Sequence, residues 1–157
     1  MTDHFEVHER DGAARLGELR LADPLTTPAL VDDVLRDAGS RWTADRAVPD
    51  GDSGSLTVLP HRAMPTGTDT RVAEAFAPDV PDVDYPSAAV VSSETADDLG
   101  TDAYVLSGGP GLVGHAERFV DALVRTRESI PDDTALYLAG AATPANAATL
   151  AYAGVDL

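Results

Sequence analysis

One stretch of the chain has the glycine spacing to cradle a phosphate: Gly109-Pro110-Gly111-Leu112-Val113-Gly114, a G-x-G-x-x-G pattern between an apolar tetrad and an amphipathic run. In a dinucleotide site such glycines let the backbone turn tightly and approach a pyrophosphate at a helix N-terminus. Here Pro110 removes an amide donor that such a loop uses. Ser107 and Gly108 lengthen the turn, and the acidic residues that follow, Asp132 and Asp133, precede the next strand instead of closing it. A backbone turn at the mouth of a sheet is therefore the preferred reading over a nicotinamide or flavin site. A small nucleotide-binding α/β module stays as an alternative.

Carboxylates are the next candidates. Asp32-Asp33, Asp97-Asp98 and Asp132-Asp133 are adjacent pairs, and neighbouring residues on a helix point in different directions. They read as solvated acid surface. Asp102, just before a strand, and Asp156, inside one, are better placed, because carboxylates on barrel strands line active sites. The histidines His4, His8, His61 and His115 show no metal-ligand spacing, and surface positions are expected for them. His115, beside the glycine loop, has a second reading as a phosphate or base contact. Ser92, Ser93 and Ser107 lack a readable His-Asp arrangement. Tyr104 and Tyr137 read as core, and Trp42 as an anchor of its loop.

These residues must be positioned by an alternating β-then-α chain. Alternation on both sides of Asp11-Gly12 predicts an N-terminal hairpin over Phe5–Leu21. Thr27 and Pro28 carry cap and first-position signals for a helix with Leu30, Val31, Val34, Leu35 and Ala38 on one face and Gly39 at its end. Residues 41–55 read as a loop. Strands are expected at Ser55–Leu59, Ala88–Val91, Ala103–Leu106 and Ala135–Leu138. Helices are expected at Thr70–Phe76, Glu94–Leu99, Gly114–Glu128 and Pro144–Ala153. In the longest helix, Ala116, Phe119, Val120, Leu123 and Val124 recur at i, i+3, i+4, i+7 and i+8 as the inward face. The last has Thr143 as cap, Pro144 first and Gly154 past its end. Val155-Asp156-Leu157 then opens a further strand, which is expected to be truncated.

The chain has 157 residues, about one domain, with a formal charge of −16 from 27 acids against 11 arginines and no lysine. Hydrophobic residues are 43% but aromatics only 5%, so the core is expected to be built of small side chains. Such an acidic surface repels nucleic acid and anionic membrane at ordinary ionic strength. A lysine-free, carboxylate-rich surface spread evenly along the chain suits a cytosol at molar salt, where charges are screened over about 3 Å. No cysteine is present, so disulfides and thiolate metal sites are excluded within these residues. No targeting signal or bilayer-length apolar run appears, and a cytoplasmic location is expected.

Three stretches carry a family resemblance. Phe5-x-Val7 with Asp11-Gly12-Ala13-Ala14-Arg15-Leu16-Gly17-Glu18-Leu19, followed by Thr27-Pro28-Ala29, resembles the opening of the tRNA-guanine transglycosylase family. Leu136 through Asn146, and Ala153-Gly154-Val155-Asp156-Leu157, resemble that family's late barrel strand, its Pro-starting helix and the Gly-Val-Asp strand after it. The resemblance implies an α/β fold: a partial (β/α) TIM-barrel-like parallel sheet with an N-terminal β-hairpin. Residues 1–27 would form the hairpin segment and 28–157 the βα units of an incomplete barrel domain.

In transglycosylases of this family the Gly-Val-Asp strand continues into Phe-Asp, whose Asp is the nucleophile. It would fall beyond Leu157, as would the zinc ligands, three Cys and a His. The segment between the matched ends is shorter than in those enzymes, and their Gly-Gly-Phe-Gln segment has no counterpart here. The shortening favours the degenerate archaeal branch, archaeosine synthase. That enzyme acts on 7-cyano-7-deazaguanine already installed in the tRNA D-arm, and its distinctive residues and RNA-binding PUA domain lie further toward the C-terminus.

The resemblance thus implies part of an archaeosine-forming enzyme, inactive by itself, with a transglycosylase proper or a non-catalytic subunit as alternatives. No catalytic residue or metal ligand is assigned in this segment. Gly108, Gly109 and Asp102 are the candidate substrate-binding residues, the glycines standing in for the family's Gly-Gly loop. No cofactor is expected in these residues, although zinc belongs to a full-length transglycosylase. The expected partners are tRNA, reached through the full-length protein, and either a second copy or a partner subunit, with no membrane.

Overall fold

In the computed structural model the described residues are 3–37, 48–62, 68, 69, 71, 72, 75, 80–112 and 114–157. The hairpin forms as expected, with β1 (Phe5–Asp11) antiparallel to β2 (Ala14–Leu19). Gly12 turns it with φ 62°, a conformation that glycine adopts without a Cβ clash. An unexpected third strand, β3 (Leu25–Thr27), adds to β2 with Gly17 opposite Thr27. A Cβ at Gly17 would stand 2.5 Å from the Glu6 carbonyl oxygen, so only hydrogen fits there.

The second sheet is parallel, ordered β4 (Leu35–Arg36), β5 (Leu56–Arg62), β6 (Ser87–Val91), β7 (Ala103–Leu106) and β8 (Ala135–Tyr137). Three of the anticipated strands sit within a residue of their expected bounds. Residues 155–157 continue the sheet beside β8: Asp156 N–H donates to Leu136 O at 2.9 Å, and Leu138 N–H to Leu157 O at 2.9 Å.

Side chains alternate between two cores, as period-2 geometry requires. Ala88, Ala103, Val105, Ala135 and Tyr137 pack with Phe5 and Leu19 of the hairpin. Ala89, Val91, Tyr104, Leu106 and Leu136 pack with Leu123 and Leu150 of the helices. The sheet is a curled half-barrel with the hairpin against one face and helices on the other. Alanine at so many strand positions lets these layers approach closely, which gives the fine-grained core that the composition predicts.

The helices include α1 (Gly109–Leu112), α2 (Ala116–Ser129) and α3 (Ala147–Tyr152), and residues 71, 72 and 75 are also helical. Four expectations need correction. Residues 28–34 are not helical. Ala29 N–H bonds to Asp156 O at 2.9 Å, and Ala29, Val31, Val34 and Leu35 pack on the hairpin-side core, so tertiary burial overrides the cap signals. Glu94–Leu99 is a turn and irregular chain, because local side chains capture the backbone. Thr95 Oγ1 accepts from Ser92 N–H at 3.0 Å, Asp98 Oδ1 from Gly100 N–H at 3.1 Å, and Tyr104 Oη from Leu99 N–H at 2.8 Å.

The third correction concerns α2, whose inward residues are Ala122, Leu123, Thr126 and Arg127, while Val120 and Val124 are 46% and 40% exposed. The arginine's carbonyl partners on the 130–134 turn set this rotation. The fourth is the start of α3, which comes later than expected. Asn146 Oδ1 accepts from Thr143 N–H at 2.7 Å, holding 143–146 as a turn with Asn146 as the N-cap residue. Most of Thr70–Phe76, and Trp42 with residues 41–47 of its loop, lie outside the described residues.

Candidate functional site

The ends of the parallel strands define two separate places. At the C-terminal ends, β7 runs into Ser107-Gly108-Gly109 and β8 into Leu138-Ala139-Gly140. Gly108 has φ 79° and open space around it, whereas Gly109 is packed, its Cβ position 2.8 Å from Leu138 Cδ1. Ser107 N–H donates to Val91 O at 2.8 Å, so the loop is tied to β6. Below it Tyr137 lies 8% exposed on the hairpin-side face, its phenol held above the ordinary value by burial and then by the Asp32 carboxylate. This is the barrel end at which active sites of such folds are built. In this chain it offers backbone and small hydroxyls. Ser92 Oγ and Thr95 Oγ1 are 3.0 Å apart and serve the turn after β6. His115 is exposed at the N-cap of α2, without a side-chain cap bond.

Asp102 stands at the other end, immediately before β7. The structure therefore does not bring it together with Gly108 and Gly109. Its Oδ2 accepts from Ser87 N–H at 2.9 Å and from Ser87 Oγ at 3.2 Å, and His4 Nδ1 lies 3.4 Å from Oδ1. The carboxylate sits between serine and histidine, so the imidazole is not placed to take the serine's proton. The trio holds the start of β6 to the start of β7 and to the N-terminus. It borders a concavity of about 440 Å³ that also has Asp3, Asp82, Asp98 and Thr134 in its wall.

Asp156 is likewise at this end, with a structural use. It forms an ion pair with Arg15, the two side chains 1% and 3% exposed, and its Oδ2 also accepts from Leu136 N–H at 2.7 Å. Burial pushes its carboxyl up, opposed by Arg15, the Leu136 amide and Arg127. Arg15 further donates to Asp132 O at 2.7 Å and Thr134 O at 2.9 Å. Arg127 reaches Thr134 O at 3.0 Å and also Pro131 O. Burial, then the neighbouring Arg15, pushes Arg127 down to about 10. Arg15 clasps the hairpin to the turn before β8 and to residue 156, and Arg127 ties the helix Ala116–Ser129 to the same turn.

Residue-level reading missed Arg15 and Arg127. A signal was present for Arg15: it shares a strand face with Gly17 and Leu19, so period 2 turns it inward and leaves Leu16 44% exposed. Among the described residues, no group of three or more His, Asp or Glu side chains converges as a metal site. His8 is exposed on β1, and His61 lies in β5.

A hairpin-plugged parallel half-barrel, with a mouth of glycines and hydroxyls and its buried charges committed to structure, belongs to the class of α/β barrel modules. Comparison with known proteins narrows this. All 157 residues match an archaeosine synthase from Haloferax volcanii at 62% identity, covering 27% of that protein. All of the chain also matches an archaeosine synthase subunit alpha from Methanosarcina acetivorans, 34% identical over 182 residues and 29% of that protein. Over its whole length the chain is similar to these archaeosine synthases, and it spans little more than a quarter of the length of these curated relatives. No protein-family profile matches it, and no solved structure does.

Proposed function

We propose that this chain is the barrel-like module of an archaeosine-forming tRNA-modifying enzyme and that it is inert alone. The rest of the synthase would supply the groups that convert 7-cyano-7-deazaguanine in the tRNA D-arm to the amidine. The full-length similarity to two archaeosine synthases carries this reading.

Electrostatics supports a scaffold role. Of the described arginines, Arg10, Arg15, Arg20, Arg36 and Arg127 are engaged by carboxylates or carbonyls of this same chain. With a net charge of −16, the surface as a whole repels phosphates. The tRNA is therefore held by other parts of the protein, and Gly108 and Gly109 would at most border the base. One relative is named as a subunit, which favours assembly with a partner chain over a self-contained enzyme. The described residues contain no helix long and apolar enough to cross a membrane, in keeping with a cytoplasmic tRNA enzyme.

The experiment replaces the matching segment of the Haloferax protein with this chain and assays tRNA nucleosides by mass spectrometry. The chimera is expected to form archaeosine and the isolated chain none. A folded but inactive chimera, or turnover by the chain alone, would reject the proposal.

A further inference from the structure

Beside residues 155–157 the outer surface carries an apolar trough of about 260 Å³, lined by Pro28, Leu30, Ala148, Ala151, Val155 and Leu157 among others. Leu30 is 53% exposed there. Val155 belongs to the helix-facing core, as do Leu106 and Leu136 further along the sheet. That core is covered by α2 and α3 over β7 and β8, so the trough occupies the next place in the helix layer, with α3 on one bank and residues 28–30 on the other. A parallel sheet is stable with both faces covered by helices, supplied by right-handed crossovers. The relatives contain nearly three quarters of their polypeptide outside the matched segment, enough to furnish such an element.

We infer that the trough is the seat of an amphipathic helix from the remainder of the synthase, which lays aliphatic side chains between Leu30 and Ala148. The inference rests on the reading of this chain as a segment of that enzyme. RNA is disfavoured by the apolar lining. The small side chains at Ala148 and Ala151 leave room for a helix to approach closely, as at other tightly packed helix pairs.

Hydrogen exchange tests this directly, comparing the isolated chain with the chimera described above at molar salt. Residues 147–152 are expected to exchange about tenfold or more slowly in the chimera. Ala148→Arg, at an exposed position, should return them to the isolated-chain rate while leaving the isolated chain's own unfolding midpoint unchanged. Leu30→Arg should act alike. Equal exchange in both contexts, or no effect of either substitution in the chimera, overturns the inference. So does concentration-dependent dimerisation of the isolated chain that Ala148→Arg abolishes, since a second copy would then be the occupant. Exchange is read independently of archaeosine formation, so a chimera with slowed exchange and no product would count against the proposed function alone.

Discussion

Arg15 and Asp156 join residues far apart in sequence, and their burial sets what their loss would cost. Removing one member of a buried ion pair leaves the other charge without compensation, about 3–5 kcal/mol. Arg15→Ala should therefore lower the unfolding free energy by about that amount in urea titrations at molar salt. The apolar double variant Arg15→Met/Asp156→Leu should lose much less, because neither charge is then stranded. Equal losses in both proteins would mean that packing of the arginine stem, and not charge, carries the clasp.

Tyr104 offers a second test at this scale. Burial raises its phenol above the usual 10.0, resisted by the Leu99 amide that donates to it. The unfolded phenol ionises first as pH rises. The stability held by the neutral buried form is thus intact below the unfolded value and is lost through the higher folded one. Ultraviolet difference titration against Tyr104→Phe should show a phenol ionising later than free tyrosine; one titrating at the free value would contradict the burial of the phenol.

Among the elements, the hairpin and the β7 loop each depend on a glycine, with different tolerance. A methyl at Gly17 meets the backbone oxygen of Glu6, which cannot move without breaking the β1–β2 ladder. At Gly109 it meets the end of the flexible Leu138 side chain. Overpacking costs about 1–3 kcal/mol, and Gly17→Ala should lie at or above the top of that range, with Gly109→Ala near the bottom. Thermal midpoints would rank them, and the reverse order would show that the mouth loop is the stiffer element. The hairpin strands and β5 to β8, in their order of appearance, were legible because alternation and apolar runs act locally, whereas the short β3 and β4 were not. The false helices at 28–37 and 94–99 were not, since Ala29 is paired with Asp156 and Leu99 with Tyr104 through contacts that only the folded chain makes.

For the molecule as a whole, charge dominates. At −16 the folded chain repels itself, and its exposed pairs Arg10–Asp132, Arg20–Glu6 and Arg36–Asp52 add little stability each. Raising salt from about 0.1 M to about 1 M shortens screening from about 10 Å to about 3 Å. The unfolding midpoint should rise across that interval, and at the low end sedimentation should detect oligomers of partly unfolded chains. A monodisperse monomer with the same midpoint in both salts would contradict this.

Composition and periodicity by themselves determined the charge regime, the alternating α/β order, the hairpin around Gly12 and the family resemblance, because each is written in adjacent or regularly spaced residues. The tertiary structure alone decided what the buried charges are for. It tied Asp102 to Ser87 and His4, turned Asp156 into the partner of Arg15, and rotated α2 to bury Arg127. Those outcomes depend on which distant carbonyls and carboxylates reach a side chain once the sheet has curled, and no local pattern encodes that distance.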